Sequence, residues 1–409
     1  MKEENDKTPE QPKYEKVSYW EVVWGQLRKN NIAIAGLWCI LLFILIAVYA
    51  PLISLNQPFY FSYEGKTAYP FFGALFNRNY FESGVDIFFN LLMVLSPFFI
   101  IIYLISFFLT GKNFKKIKGN IMGGFTLAQM ILFIILIIFP TNRPIIDYKA
   151  KIEEIEASGG KASYMFPLLR YSYRESDMTE PPPQPPSGSH WLGTDKEGRD
   201  VFVRMVYGTR ISMTIGVVAV SIYVTIGIIL GSTAGFFGGR IDLWITRFIE
   251  VMICFPSFFL ILTVVSFIEK RSIFHIMFVI GVTHWTGVAR LVRAEFLKLK
   301  NMDYVQAAIA LGMSKARIMF GHILPNAMAP VLVSATFGIA AAILTESSLS
   351  FLGLGDPSAP SWGELLNVGR VEGKLWLILS PGFAIFFVVF IFNLVGEALR
   401  DALDPRLRQ

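Results

Sequence analysis

Cysteine is almost missing from this chain. Only Cys39 and Cys254 occur among 409 residues, each inside an apolar run, which excludes a disulfide framework and a cysteine-based metal site. Histidine is nearly as scarce: His190, His275, His284 and His322 are scattered, so no metal centre is expected. Charge is thin too, with 17% charged residues against 54% hydrophobic and 15% aromatic, a balance too apolar for an ordinary soluble globular protein. The net charge of +6 invites a nucleic-acid partner. The basic residues, however, sit in short loops between apolar runs rather than in one aromatic-laced stripe, so no nucleic acid is expected. No G-x-x-x-x-G-K-[ST] phosphate loop occurs; "GSTAGFFGGR" and "GLGDPSAP" have glycines but lack the lysine that must reach the phosphates. No nucleophile–base constellation is visible, so the chain is not expected to be an enzyme. The polar tail 1–30 contains no short apolar core with a small-residue cleavage site, and the first apolar run is expected to be retained.

Long apolar runs are what the chain does have. Crossing a hydrocarbon core of ~30 Å takes about 20 apolar residues as a helix. Eight stretches come near that length, at 31–53, 85–110, 120–140, 211–237, 243–268, 273–289, 327–348 and 375–396. The runs are continuous rather than alternating, which argues for helices and against barrel strands. Lys and Arg in the short loops set the orientation. Arg28 and Lys29, the cluster Lys112 to Lys118, Arg240, the loop from Arg290 to Arg317, and the tail with Arg400, Arg406 and Arg408 all fall on one side. That side is read as cytoplasmic, with both termini on it.

The long external segment contains "EPPPQPP" (180–186), which reads as a stiff polyproline spacer and the best internal boundary. "HWLGTDKEGRDVFVRMVYGTR" follows. Thr194 and Glu197 have capping-box spacing ahead of Val201, Phe202, Met205 and Val206, which predicts an amphipathic helix on the external surface before the fourth span.

"YVQAAIALGMSKARIMFGHILPNAMAP" (304–330) predicts a helix, a bend and a second helix. Gly312 can take a positive φ and end the first helix, Ser314 can cap the second, and Pro325 is expected to stop it near His322. A buried methyl is worth only ~0.8 kcal/mol against ~1.5–3 kcal/mol for a buried Leu, so Ala307, Ala308 and Ala310 suit close backbone approach better than adhesion. Lys315 and Arg317 stand ready to pair with acidic groups at the rim of a groove. An interfacial helix lying on the inner leaflet fits the same spacing. Elsewhere, Arg247 and Glu250 are three apart on one helix face and can pair, His284 reads as packing, and Glu346 either lines the external mouth or lies in a solvated loop.

The 304–330 stretch resembles the EAA loop of ABC-importer permeases, with Gln306, Ala307, Ala308, Gly312, Leu324 and Pro325 in register. Gln306 stands where Glu is usual, and His322 where Ile is usual, as in the peptide-permease branch. "HWLGTDKEGRD" (190–200) is similar to that branch's HPLGTD-x-x-GRD lead-in through Gly193, Thr194, Asp195, Gly198, Arg199 and Asp200. "GGRIDLWITRFIEVMICFP" (238–256), 285–308 and 343–366 continue the likeness, which covers about 188–409 and, more weakly, the first span.

The resemblance implies an all-α polytopic membrane protein of the ABC importer type I permease fold, with about six family spans plus two extra N-terminal ones. Its implied divisions are a cytoplasmic tail 1–30, a first span 31–53, an inserted region 54–187, and a permease domain 188–409 with the EAA-like loop at 303–325. It further implies a subunit of the dipeptide/oligopeptide (or nickel) C-type, in the bacterial inner membrane. The implied partners are a second homologous permease, two ABC ATPase subunits, an external solute-binding protein and membrane lipid. ATP and magnesium would be held by the ATPases, with no cofactor on this chain. The ATPase-coupling residues by this reading are Gln306, Ala307, Ala308, Gly312, Arg317, His322, Leu324 and Pro325. An ion-coupled secondary carrier is the alternative from another class; it calls for an internal repeat, and none is found.

Overall fold

The computed structural model describes residues 19–110 and 114–403. A short helix α1 (Tyr19–Lys29) leads into α2 (Asn31–Ile53), whose start is capped by Asn30 accepting from the N–H groups of Ile32 and Ala33. The chain then builds strands β1 (Tyr60–Tyr63) and β2 (Lys66–Ala68), a short α3 (Pro70–Ala74), a long helical pair α4 (Gly84–Thr110) and α5 (Phe114–Ile138), helix α6 (Tyr148–Ala157) and strand β3 (Ser163–Met165). The strands form one antiparallel sheet in the order β2-β1-β3, a feature the all-helical expectation did not include. Helix α6 seals one face of it through Phe61, Tyr148, Ile152 and Ile155.

The rest is helical: α7 (Val201–Phe237), α8 (Gly239–Cys254), α9 (Ser257–Ser266), α10 (Ile273–Thr283), α11 (Trp285–Leu299), α12 (Asp303–Ala310), α13 (Lys315–Arg317), α14 (Leu324–Phe351), α15 (Trp362–Glu372) and α16 (Leu375–Leu403). Among the described residues, seven helices are long and apolar enough to span a bilayer, and the α8/α9 pair, bent by 77°, makes an eighth if it counts as one span. The expected straight span at 243–268 is therefore a broken one. Pro256 sits at the break, where its fixed φ and missing N–H prevent α8 from continuing.

The amphipathic helix expected ahead of the fourth span is not a separate element. It is the first part of α7, a single 37-residue helix whose N-cap is Asp200, with its carboxylate accepting from the Val203 N–H. Val201, Val203, Val206 and Tyr207 are buried against protein, so this turn of helix does not lie on the bilayer. Nor is "EPPPQPP" a free spacer. Gln184 is buried, and its N–H donates to Thr194 Oγ1 while its carbonyl accepts from the Thr194 N–H.

Two glycine-lined contacts bring the core spans together. Gly227, Gly231 and Gly235 of α7 face Val288, Ala289 and Phe296 of α11, and a Cβ on Gly231 would lie 2.4 Å from the Ala289 carbonyl oxygen. Gly208 receives Trp362 and the Pro360 carbonyl in the same way. Small residues at interfaces are what lipid favours, since apolar side chains gain little by leaving hydrocarbon for each other. Val23 and Leu27 of α1 pack on Ala398, Ala402 and Leu403 of α16, which puts the two ends of the described chain at one face of the bundle.

Candidate functional site

Three polar features stand out, one at each end of the bundle and one within it. At the face shared by the chain ends, α12 and the following turn form a compact knuckle. Val305 and Ala308 are buried on the bundle side, whereas Gln306, Ala307, Ala310 and Gly312 are exposed. Gly312 has φ +71°, a left-handed conformation that ends α12 at little cost only for glycine. Ser314 Oγ accepts from the Arg317 N–H and starts the next helix.

That helix does not stop at Pro325. It widens to a π turn over Ile318–Ile323 and runs on into α14, so residues Lys315–Phe351 form one 37-residue rod. The π register suits a proline, whose missing N–H leaves one carbonyl of the preceding turn without a helical partner in any case. The turn buries Ile318, Met319 and Ile323 and leaves His322 half-buried; Leu324 is half-buried and Pro325 exposed. Gln306 Nε2 donates to the Lys300 carbonyl at 3.0 Å, closing the C-terminal end of α11, a bond that an ionised Glu at this position cannot make.

The exposed face of the knuckle is not made of alanine alone. Tyr304, Ile309 and Phe320 are about half exposed, and Leu311 is 80% exposed. The preference for small side chains expected from composition therefore describes only part of this surface. Behind it, Arg293 of α11 grips Asp242 of α8 through both carboxylate oxygens, and Lys300 Nζ donates to the Gly235 carbonyl at 3.2 Å. Arg247 and Glu250 are in contact at 2.6 Å on the exposed side of α8.

At the opposite end, residues 190–200 fold into a tight polar turn. Gly193 and Gly198 take φ +75° and +74°, and side chains there would strike the Gln184 and Asp177 carbonyls. The Asp195 carboxylate is fully buried; it accepts from the N–H groups of Glu197 and Arg199 and pairs with the Arg199 side chain at 2.7 Å. Thr194 and Glu197 do not form a capping box: Thr194 serves Gln184, and Glu197 pairs with Arg199 at 2.6 Å. His190 is buried with Nδ1 at 2.7 Å from Asp200 Oδ2 and Nε2 at 3.3 Å from Asp177 Oδ2, and its ring faces Tyr171. Hydrogen bonds from the Thr179 N–H and hydroxyl hold the Asp177 carboxyl below its ordinary value, helped by His190. Sequence spacing gave no sign of this clamp, because Asp177 lies outside the 190–200 motif and meets His190 only in the fold.

The third feature is interior. Arg210 of α7 has no exposed surface; it pairs with Asp86 at 3.0 Å, donates to Asn90 Oδ1 at 2.9 Å, and donates from Nε to the Ala47 carbonyl at 2.7 Å. That carbonyl is available because Pro51, four residues on, has no N–H to offer it. Asp86 and Asn90 lie on α4, so this network moors α4 to α2 and to α7. Glu346, left open between a channel mouth and a solvated loop, is buried on α14 with Ser350 Oγ donating to it at 2.7 Å, which removes the solvated-loop reading. His284 breaks the helix between α10 and α11 and faces the Tyr223 ring.

Among the described residues, a helical bundle with seven or eight segments long and apolar enough to span, a polar clamp at one end and a knuckle continuous with a long apolar helix at the other, is the architecture of a polytopic membrane protein. Sequence comparison makes the class specific. The family described as "Binding-protein-dependent transport system inner membrane component" matches residues 227–409, and that described as "N-terminal TM domain of oligopeptide transport permease C" matches residues 18–70. The dipeptide transport system permease protein DppC of Alkalihalophilus pseudofirmus is 42% identical over 228 residues, 55% of this chain and 75% of its own. The oligopeptide transport system permease protein OppC of Haemophilus influenzae is 42% identical over 253 residues, 60% and 79% of the two chains, and that of Bacillus subtilis is 41% identical over 243 residues, 59% and 79%. The chain belongs to the family of binding-protein-dependent transport permeases, in its C-type branch.

Proposed function

We propose that this chain forms half of the transmembrane pathway of a peptide importer and that the knuckle 303–325 is where motion from a separate ATP-hydrolysing subunit enters it. The peptide class is taken from relatives named as dipeptide and oligopeptide permeases. The observation that carries the coupling role is Leu311 at 80% exposure, beside Ile309 and Phe320, on a segment read as lying outside the bilayer. Fully burying an exposed side chain such as Leu311 is worth ~1.5–3 kcal/mol, and covering the exposed halves of Ile309 and Phe320 adds to it, while Ala307 and Ala310 allow close approach.

The knuckle is suited to passing on displacement. It is continuous with α14 through the π turn, and its preceding helix α11 is tied to α7 and α8 by Lys300 and by the Arg293–Asp242 pair. A push on Leu311 is therefore delivered to a rod that crosses the membrane. Energy comes from two ATPase subunits holding ATP and magnesium, and the pathway is completed by a second permease and fed by an external binding protein. Both termini face the cytoplasm.

The test is Gly312→Val. A β-branched residue at φ +71° is strained by ~1–2 kcal/mol, enough to displace Leu311 without unfolding the spans. ATP-driven peptide uptake and co-purification of the ATPase should both be lost while membrane insertion is kept; wild-type uptake in this variant would refute the coupling role.

A further inference from the structure

Between α6 and the stretch 164–179, the inserted region carries an open groove of about 950 Å³. It lies in the part of the chain that neither family description matches, since those stop at residue 70 and resume at 227. We propose that this groove captures an extended, positively charged peptide at the external mouth of the pathway. The ligand class rests on the peptide reading above; the charge and the shape come from the groove.

Five carboxylates line it, those of Asp147, Glu153, Glu156, Glu175 and Asp177, against two cations, Lys149 and Arg170. Both cations are engaged. Lys149 pairs with Glu175 at 2.6 Å and lies over the Tyr171 ring, and Arg170 lies over the Phe166 ring at 5.4 Å. Glu153 is exposed without a cationic partner among the described residues, and Glu156 meets only the Tyr164 hydroxyl, at 3.5 Å. No group of three or more His, Cys, Asp or Glu among the described residues converges well enough to hold a metal ion. The negative charge is thus spread along the groove, which suits several positive charges on an extended chain rather than one inorganic cation.

Apolar surface is interleaved with that charge: Leu168 is 73% exposed and Met178 63% exposed, beside Tyr164 and Phe166. Strand β3 is at the edge of its sheet, so one side of it has no neighbouring strand. An edge strand with alternating side-chain contacts is the usual seat of an added peptide strand. The volume is at the upper end of the ~300–1,000 Å³ typical of ligand pockets, enough for a few residues. Asp177 and Ser189 in its wall lead directly to the His190–Asp200 contact at the start of α7, which places a captured peptide beside the first turn of a spanning helix.

The full chain in nanodiscs of zwitterionic lipid, without its partners, is titrated with fluorescein-labelled octapeptides that are lysine-rich, neutral or glutamate-rich, and anisotropy is read. The lysine-rich peptide should bind about ten-fold or more tighter than the other two, and the Glu153→Lys/Glu156→Lys variant should lose at least about ten-fold of that affinity. Equal binding of the three peptides, or unchanged lysine-peptide affinity in the variant, overturns the proposal. ATP-driven uptake of the neutral peptide by the complete assembly is measured in parallel. Its failure in the wild type refutes the importer reading, whereas its persistence in the charge-reversed variant beside lost binding supports the groove.

Discussion

Arg210 has no contact with water, and its guanidinium is held by groups from two other spans, Asp86 and Asn90 on α4 and the Ala47 carbonyl on α2. Removing one member of a buried pair costs about 3–5 kcal/mol, because the other charge is left without compensation. Arg210→Met should therefore lower the unfolding midpoint of the detergent-solubilised protein sharply, and Asp86→Leu alone should do likewise. Together they should recover most of the loss, since neither charge remains; a double variant as poor as the sum of the singles would disprove the coupling. Glu364, half-buried at the end of the bundle opposite the knuckle, makes a pH prediction. Burial raises its carboxyl from an ordinary value of 4.5 to about 7, opposed by Arg204, Arg199 and Lys196. An acid whose folded pKa lies above its unfolded one binds more protons when folded, so its contribution to stability falls as pH rises between those two values and is level above them. Thermal unfolding measured across that window should show the decline in the wild type and a flatter profile in Glu364→Gln. A histidine such as His190 shows why residue-level chemistry was the least legible part of the sequence. Its partners Asp177 and Asp200 sit in separate loops, and no period or spacing links them.

Among the elements, hydropathy located every spanning segment but not their interruptions. The run at 243–268 carried its own signal in Pro256, yet the 77° bend depends on what α8 and α9 pack against. The opposite error occurred at α7 and α14. Both continue past the point where polarity or a proline suggested an end, because tertiary burial of Val203 and Tyr207 in one case, and a π turn in the other, kept the backbone helical. Gly312 and Ser314 were legible because a left-handed residue and a cap are local requirements. The α7–α11 contact was not, although its glycines are spaced four apart on one helix face. Gly231→Leu tests it directly. The new side chain meets the Ala289 carbonyl and Val292, which are backbone and a branched residue with little room to yield. Overpacking of this kind costs about 1–3 kcal/mol, so the variant should show a lower yield of monodisperse protein, whereas Gly123→Leu on the uncovered face of α5 should be neutral. Equal yields would mean that the two helices are free to separate.

At the level of the whole molecule, the packing of α1 on the end of α16 brings the described chain ends to one face, and the cation of Lys315 lies over the Phe237 ring at the end of α7, at 5.7 Å. The knuckle is thereby placed at one end of the bundle, and the small β-sheet with its groove at the other, next to the start of α7. What the fold leaves free is which end faces the cytoplasm; the proposal that the knuckle does so rests on the distribution of Lys and Arg in short loops. Cysteine scarcity makes the assignment simple to test. With Cys39→Ser and Cys254→Ser as background, Lys161→Cys just before β3 and Ala316→Cys in the knuckle are each introduced at an exposed position. A membrane-impermeant maleimide should label the first in intact cells and the second only after permeabilisation. The reverse pattern would put the exposed apolar face around Leu311 outside the cell, out of reach of any ATP-hydrolysing partner, and the coupling proposal would fail even though every span stayed where it is.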